Sequence, residues 1–247
     1  MSELPLPHGL SPSRVAIYLD FDGTLAPIVA DPARASVPPE TVSLLRRLQV
    51  RTEGAIAVVS GRSIDQLDRM LYPLELALAG VHGAERRDVE GNVTRSLYDH
   101  EQQMLVVERV NAFVDAHQGL LAEIKPGSVA LHYRKRPKLE QVCREFARNI
   151  AEAAPSVSLV PGKMVIEMTL AGRTKGNAIA DFMQELPFLN RLPVFAGDDV
   201  TDEAGFAVVN AVDGIAIKIG AGETSARYRI ESPAALADWL QGLAQYR

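Results

Sequence analysis

Val15-Ala16-Ile17-Tyr18-Leu19 carries apolar side chains at every position and runs straight into Asp20-Phe21-Asp22-Gly23-Thr24-Leu25. A strand of an antiparallel sheet with one wet face would alternate; this one does not, so it predicts a strand buried on both faces, as in a parallel sheet covered by helices. The polar burst after it is then the loop at the strand's carboxyl end, where open α/β sheets bind their ligands. Asp20 and Asp22 can converge on one ligand only if a cation or a proton offsets their repulsion. Hard carboxylate oxygens suit Mg²⁺.

The strand, polar loop, helix order recurs. Residues 55–59 predict a second buried strand ending in Ser60-Gly61-Arg62, with a helix from Ser63 whose Ile64, Leu67 and Leu71 face inward. Between the two strands, residues 27–39 read as a connection, and residues 40–49 as a helix on Val42, Leu45 and Leu48. Residues 76–79 predict a third strand, followed by Gly80-Val81-His82-Gly83-Ala84-Glu85 and a turn at residues 88–91 that suggests an edge hairpin. The pattern returns at Gly172-Arg173-Thr174-Lys175-Gly176, which opens a helix on Ile179, Phe182, Met183 and Leu186. A strand at residues 193–196 then ends in Gly197-Asp198-Asp199-Val200-Thr201-Asp202-Glu203, the densest acidic cluster in the chain. A further strand at residues 215–219 and a helix around Leu236, Trp239 and Leu240 close the series.

Between about residues 100 and 171 the pattern becomes helix, two strands, helix, two strands, an α+β module rather than a continued βαβ run. One helix uses Val106, Val110 and Phe113, the other Leu139, Val142, Cys143, Phe146 and Ile150. Residues two apart in a strand share a face. Val129, Leu131 and Tyr133 therefore oppose His132 and Arg134; Met164, Ile166 and Met168 oppose Val165 and Glu167; Glu123 and Lys125 lie together. The expected architecture is an α/β core of residues 1–99 and 172–247, with residues 100–171 as an inserted cap bearing a charged sheet face.

At 247 residues and 47% hydrophobic composition the chain can bury such a core. A net charge of −5 gives no general attraction to nucleic acid or to an anionic membrane surface, so any anionic ligand must be held locally. The single cysteine, Cys143, excludes an intrachain disulfide, fits a reducing cytoplasm and falls in an apolar stripe. Residues 1–13 hold three prolines and no long apolar run, so no secretory signal or membrane anchor is expected.

Read singly, the loops are commonplace: an Asp-x-Asp turn, a Ser-Gly turn, a lysine at a helix start, acidic residues at a helix N-terminus. Together, and in this order, they resemble the haloacid-dehalogenase-like phosphotransferases, whose first motif has the form Asp-x-Asp-Gly-Thr. That resemblance implies a Rossmann-like core and a Mg²⁺-dependent phosphatase with Asp20 as the nucleophile that becomes an aspartyl-phosphate. Asp22 would protonate the leaving oxygen and then activate water. Asp198, with Asp20 and a backbone oxygen of Asp22, would hold the metal, and Asp199 and Asp202 would complete or orient its shell. Thr24 and Ser60, with Gly61 in the same turn, would bind phosphate, and Lys175 would neutralise nucleophile and transferring group.

Further segments narrow the resemblance: Leu78-Ala79-Gly80-Val81-His82-Gly83-Ala84-Glu85, Leu131-His132-Tyr133-Arg134, Gly162-Lys163 with Glu167, and the run from Gly197 to Glu203. They are similar to the trehalose-6-phosphate phosphatase family. The implied reaction is hydrolysis of trehalose 6-phosphate, the last step of trehalose biosynthesis, by an enzyme whose cap reads the sugar through Glu123, Lys125 and Glu167; separately, a monomer is expected. His132, Arg134 and His82 could touch the substrate or support the sheet and core around it. Two alternatives stay open: a related capped phosphatase acting on another sugar phosphate, and a catalytically silent subunit that senses the sugar phosphate.

Overall fold

A computed structural model of the chain describes residues 5–29 and 35–246. The first four residues of the proline-bearing N-terminal segment, and residues 30–34 of the expected connection, lie outside it. The chain divides into two compact units, one of Met1–Thr94 with Thr174–Arg247, the other of Arg95–Arg173.

The first unit is built on an eight-stranded sheet. In chain order its strands are β1 (Val15–Leu19), β2 (Ile56–Val59), β3 (Ala77–Gly80), β4 (Glu85–Arg87) and β5 (Val93–Arg95), and later β10 (Leu192–Gly197), β11 (Ile215–Ile219) and β12 (Tyr228–Ile230). Their spatial order is β12-β11-β10-β1-β2-β3-β4-β5. The six strands from β12 to β3 are parallel, and β4 turns back antiparallel along β3. β1, β2, β3 and β11 are buried at every residue.

Alternation sorts those residues between two cores. Val15, Ile17, Leu19, Ile56, Val58, Ile215 and Ile217 face one side, where α1 (Pro39–Arg51), α2 (Ile64–Leu71) and α7 (Pro233–Gln245) cover them. Ala16, Ala57, Ala77, Ala79 and Ala216 face the other, with Tyr18 and Phe195. These small residues leave depth for the aromatic side chains Phe182 and Phe206 of α5 (Lys175–Phe182) and α6 (Glu203–Ala211). Helices α5 and α6 also approach closely: a Cβ on Gly176 would lie 2.4 Å from the carbonyl oxygen of Ala204. A side chain there would push the start of α5 away from α6.

The α2 start follows from sequence chemistry. Ser63 caps the helix, accepting from the Gln66 N–H, and the Gln66 side chain accepts in return from the Ser63 N–H. In α1 the buried stripe is Leu44, Leu45 and Leu48, with Val42 only partly buried, because the helix turns Leu44 rather than Val42 to the sheet.

The second unit is a four-stranded antiparallel sheet, order β6-β7-β9-β8, of β6 (Leu121–Lys125), β7 (Ser128–His132), β8 (Ser158–Gly162) and β9 (Val165–Thr169). α3 (His100–Ala116) and α4 (Glu140–Ala153) pack on it, enclosing Val129, Leu131, Tyr133, Ile166 and Met168. Pro161 sits in β8, an edge strand, where a missing N–H is tolerated. Two residues depart from the expected faces. Val142 is exposed, α4 burying Cys143, Ala147 and Ile150 instead, and Met164 lies before β9 at φ 62°, exposed in the turn rather than on the strand's apolar face. Gln103 of α3 is buried although polar, since its side-chain amide donates to the carbonyls of Lys125 and Ser128.

Cys143 is fully buried, and burial raises its thiol above the ordinary range. Ellman's reagent is expected to leave the native protein unlabelled at pH 8 and to take up one equivalent after denaturation. Rapid native labelling would show the thiol at the surface. Among the described residues no helix is long and apolar enough to cross a membrane.

Candidate active site

Because β10, β1, β2 and β3 are adjacent and parallel, their carboxyl ends fall on one edge of the sheet. That register brings together Asp198 after β10, Asp20 after β1, Ser60 after β2 and His82 after β3, residues spread over 178 positions of sequence. Asp20, Thr24, Ser60, Lys175, Asp198 and Asp202 are all buried.

Lys175 is the first residue of α5, whose N-terminus is set by Thr174 and Asn177 in a capping box. Its Nζ donates to Asp20 Oδ1 at 2.6 Å and to Asp202 Oδ1 at 2.7 Å. Asp202 is fixed a second time, Oδ2 accepting from the Asp199 N–H at 2.9 Å. The carboxylates of Asp20, Asp198 and Asp202 offer oxygens that lie within 4.8 Å of one another. Three carboxylates against one ammonium leave this group net negative in a site shielded from water. Burial pushes the Asp20 carboxyl well above its ordinary range, and Asp202 and Asp198 push it further, against the pull of Lys175. For Lys175 burial acts against the charge, but Asp20 and Asp202 outweigh it and the ammonium is stabilised. The donor set fits a hard divalent cation: oxygen ligands only, converging, with excess negative charge. Gly23 forms the cradle, since a Cβ there would lie 2.1 Å from Asp198 Oδ2, and its φ is +79°.

The other expected site residues are placed as follows. Thr24 Oγ1 donates to Asp20 Oδ2 at 3.4 Å, a long bond, and Ser60 Oγ accepts from the Arg62 N–H at 3.2 Å. The His82 ring lies so close to Gly61 that a Cβ there would come within 2.7 Å of Nε2, which puts His82 behind the Ser60 turn. Val81 and His82 both have positive φ, an uncommon backbone state for such residues. The side chains of Asp22 and Asp199 turn elsewhere, Asp22 to Arg62 and Asp199 to the Val200 N–H.

Two residues of this edge escaped the sequence reading. Lys218, buried in β11, donates from Nζ to the Asp198 carbonyl at 2.6 Å, holding the backbone that carries the carboxylate. A lysine amid Ile215-Ala216-Ile217 and Ile219 was the signal. Arg62 was visible only as a turn residue.

In the second unit, the charged face of the sheet is a network. Glu123 and Glu167 stand opposite Ala130 from either side. Lys125 Nζ is 3.3 Å from Glu167 Oε1 and 3.7 Å from Glu123 Oε2. Ser128 Oγ donates to Glu167 Oε1 at 2.5 Å, and His132 Nε2 is 2.9 Å from Glu123 Oε2. Arg134 donates to the Lys163 carbonyl at 3.1 Å, tying the end of β7 to the β8–β9 turn.

Comparison with known proteins bears on both units. The chain is 40% identical over 229 residues, 93% of its own length and 86% of the relative's, to the trehalose-6-phosphate phosphatase of Escherichia coli K12. It is 31% identical over 233 residues to a trehalose-6-phosphate phosphatase-related protein of Thermoplasma acidophilum, covering 90% of that protein. Among solved structures, the C-terminal domain of a C. albicans trehalose-6-phosphate phosphatase shares the fold with a TM-score of 0.84 at 22% identity, covering 94% of this chain and 92% of that one. The model of the trehalose-phosphatase family matches residues 18–234, from β1 to the first turn of α7, and the chain belongs to that family.

Proposed function

We propose that the protein is a phosphomonoesterase that hydrolyses trehalose 6-phosphate to trehalose and inorganic phosphate, with Mg²⁺ at the acidic cluster. The observation that carries the reading is the convergence of Asp20, Lys175, Asp198 and Asp202 at one sheet edge. A buried carboxylate beside a buried ammonium is a phosphoryl acceptor whose developing charge is neutralised in place.

In this reading an oxygen of Asp20 attacks phosphorus as the bond to the sugar oxygen breaks, and Asp22 gives that leaving oxygen a proton. Water then attacks the aspartyl-phosphate, losing its proton to Asp22, and phosphate leaves with Asp20 restored. Lys175 orients the nucleophile, while Thr24, Ser60 and the Gly61 backbone bind phosphate oxygens. Asp20, Asp198 and a backbone oxygen of Asp22 would hold Mg²⁺, with Asp202, and Asp199 through its N–H to Asp202, orienting them, and the bound ion would supply charge neutralisation for the transferring phosphoryl group. The sugar is read by Glu123 and Glu167, which accept from vicinal hydroxyls, and Lys125, which donates, with His132 and Arg134 steadying them. The exchange of one such hydrogen-bonded hydroxyl for a mismatch leaves buried charge unpaired, a strong source of discrimination.

The test is phosphate release from a panel of sugar phosphates with Mg²⁺ and after chelation. Trehalose 6-phosphate is expected to lead glucose 6-phosphate and sucrose 6-phosphate in kcat/KM by about 10²-fold or more, with activity lost in EDTA and restored by Mg²⁺. Equal rates across the panel would favour a broader sugar phosphatase. Calorimetric binding without turnover would favour a sensing subunit.

A further inference from the structure

We infer that Arg62 is the positioning residue for Asp22, and that Phe21 is the shelf on which it does so. The inference rests on the reading of Asp22 as the group that protonates the leaving oxygen.

An arginine in a polar turn ordinarily extends into water. Here the Arg62 side chain is 7% exposed and the Asp22 side chain 42%. Its guanidinium grips Asp22 through two parallel bonds, Nε to Oδ2 and Nη2 to Oδ1, each 2.7 Å. Such a fork fixes the plane of a carboxylate as well as its distance. The guanidinium carbon lies 5.4 Å from the centroid of the Phe21 ring, within cation–π reach. Phe21 is the residue between the two aspartates and is itself fully buried. The arginine backbone is also held, its N–H donating to Ser60 Oγ at 3.2 Å and its carbonyl accepting from the Val81 N–H at 2.8 Å.

The pair is therefore asymmetric. Arg62 is anchored by an aromatic face, two backbone bonds and burial; Asp22 is the more exposed partner, and the fork takes one lone pair on each of its oxygens, which fixes the direction of the second lone pair that must carry the proton. A carboxylate so placed would otherwise rotate about two torsions. A proton donor that spends most of its time out of line loses much of its effect, since small misplacements cost about 10²-fold. A bland alternative exists: the fork merely staples the first loop to the second. The two differ in what they do to leaving groups. The alkoxide oxygen of a sugar needs a proton as its bond to phosphorus breaks, whereas p-nitrophenolate departs without one.

The experiment compares kcat/KM, which reports steps through departure of the leaving group, for trehalose 6-phosphate and p-nitrophenyl phosphate in wild type, Arg62→Met, Arg62→Lys and Asp22→Asn. Positioning predicts that Arg62→Met loses about 10²-fold on the sugar phosphate but less than about 5-fold on the aryl ester, with KM changing little. Arg62→Lys, a point charge without the fork, recovers only part. Asp22→Asn sets the limiting pattern. An equal fall on both substrates, or no fall on either, in a folded Arg62→Met or Arg62→Lys protein overturns the positioning role. If Asp22→Asn itself shows no preference between leaving groups, the assignment of Asp22 fails, and the inference with it.

Discussion

Replacing Asp20, the proposed nucleophile, with asparagine is expected to lower phosphate release by about 10⁴-fold or more, while the protein melts no earlier than wild type at neutral pH. The first half follows from chemistry: an amide oxygen at the end of β1 cannot accept the phosphoryl group and be regenerated by water. The second follows from electrostatics. Burial and the neighbouring Asp202 and Asp198 raise the Asp20 carboxyl far above its ordinary range, so its charge is unfavourable in the fold. Asparagine has the same shape without that charge, and Lys175 keeps Asp202 as a partner. Phosphate release and a thermal melt on one preparation check both halves. Wild-type-like turnover in the folded variant would sink the assignment of the nucleophile.

Lys175→Met should behave in the opposite way, losing both activity and stability. The ammonium bonds Asp20 and Asp202, two of three buried carboxylates that offer oxygens within 4.8 Å of one another. Removing it leaves buried charge uncompensated, at a cost of about 3–5 kcal/mol, and on the proposed mechanism removes the group that neutralises the transferring phosphoryl, at about 10³-fold in rate. The stability loss carries a pH signature. In the variant the Asp20 carboxyl, raised by burial and by Asp202 and Asp198 and no longer drawn down by Lys175, holds its proton in the folded state up to a higher pH than in the unfolded chain, where an aspartate titrates at ~3.9. A group whose folded pKa is raised favours the fold below its unfolded pKa and loses that advantage as pH rises through the folded value. The variant should therefore approach wild-type stability near pH 4 and fall furthest behind at neutral pH, provided each is measured against wild type at the same pH. A constant deficit between those limits would show that the lysine's role is packing, not charge.

The two variants differ because Asp20 and Lys175 sit on opposite sides of the charge balance. Asp20 adds to an excess of negative charge; Lys175 offsets part of that excess through its bonds to Asp20 and Asp202. Lys218, bonded to the Asp198 carbonyl, adds a second buried ammonium near the same edge.

Much of this was readable in one dimension. Strand burial on both faces follows from unbroken apolar runs, as in Val15 to Leu19, because a sheet residue with no dry face has no reason to be apolar at every position. Loop placement follows the same way, since Asp20, Ser60, Lys175 and Asp198 each stand where an apolar run ends or a helix begins. The helix starts near Ser63 and Thr174 are legible because the capping boxes that set them are local. The charged face of β6, β7 and β9 is a matter of alternation alone.

What the chain order could not decide is which charges meet. Asp22, Asp199 and Asp202 look equivalent as acidic residues near a turn, yet the fold gives them separate partners: Arg62 forty positions on, the adjacent Val200 N–H, and Lys175 with the Asp199 N–H. Gln103 and Lys218 break an apolar pattern, and only their distant carbonyl partners explain why. Hydrophobic periodicity is a property of neighbours in sequence, so it determines strands, helices and their buried faces. Ion pairs and hydrogen bonds depend on direction and on distances of about 3 Å, and those exist only once the parallel register of β10, β1 and β2 has brought remote loops to one edge.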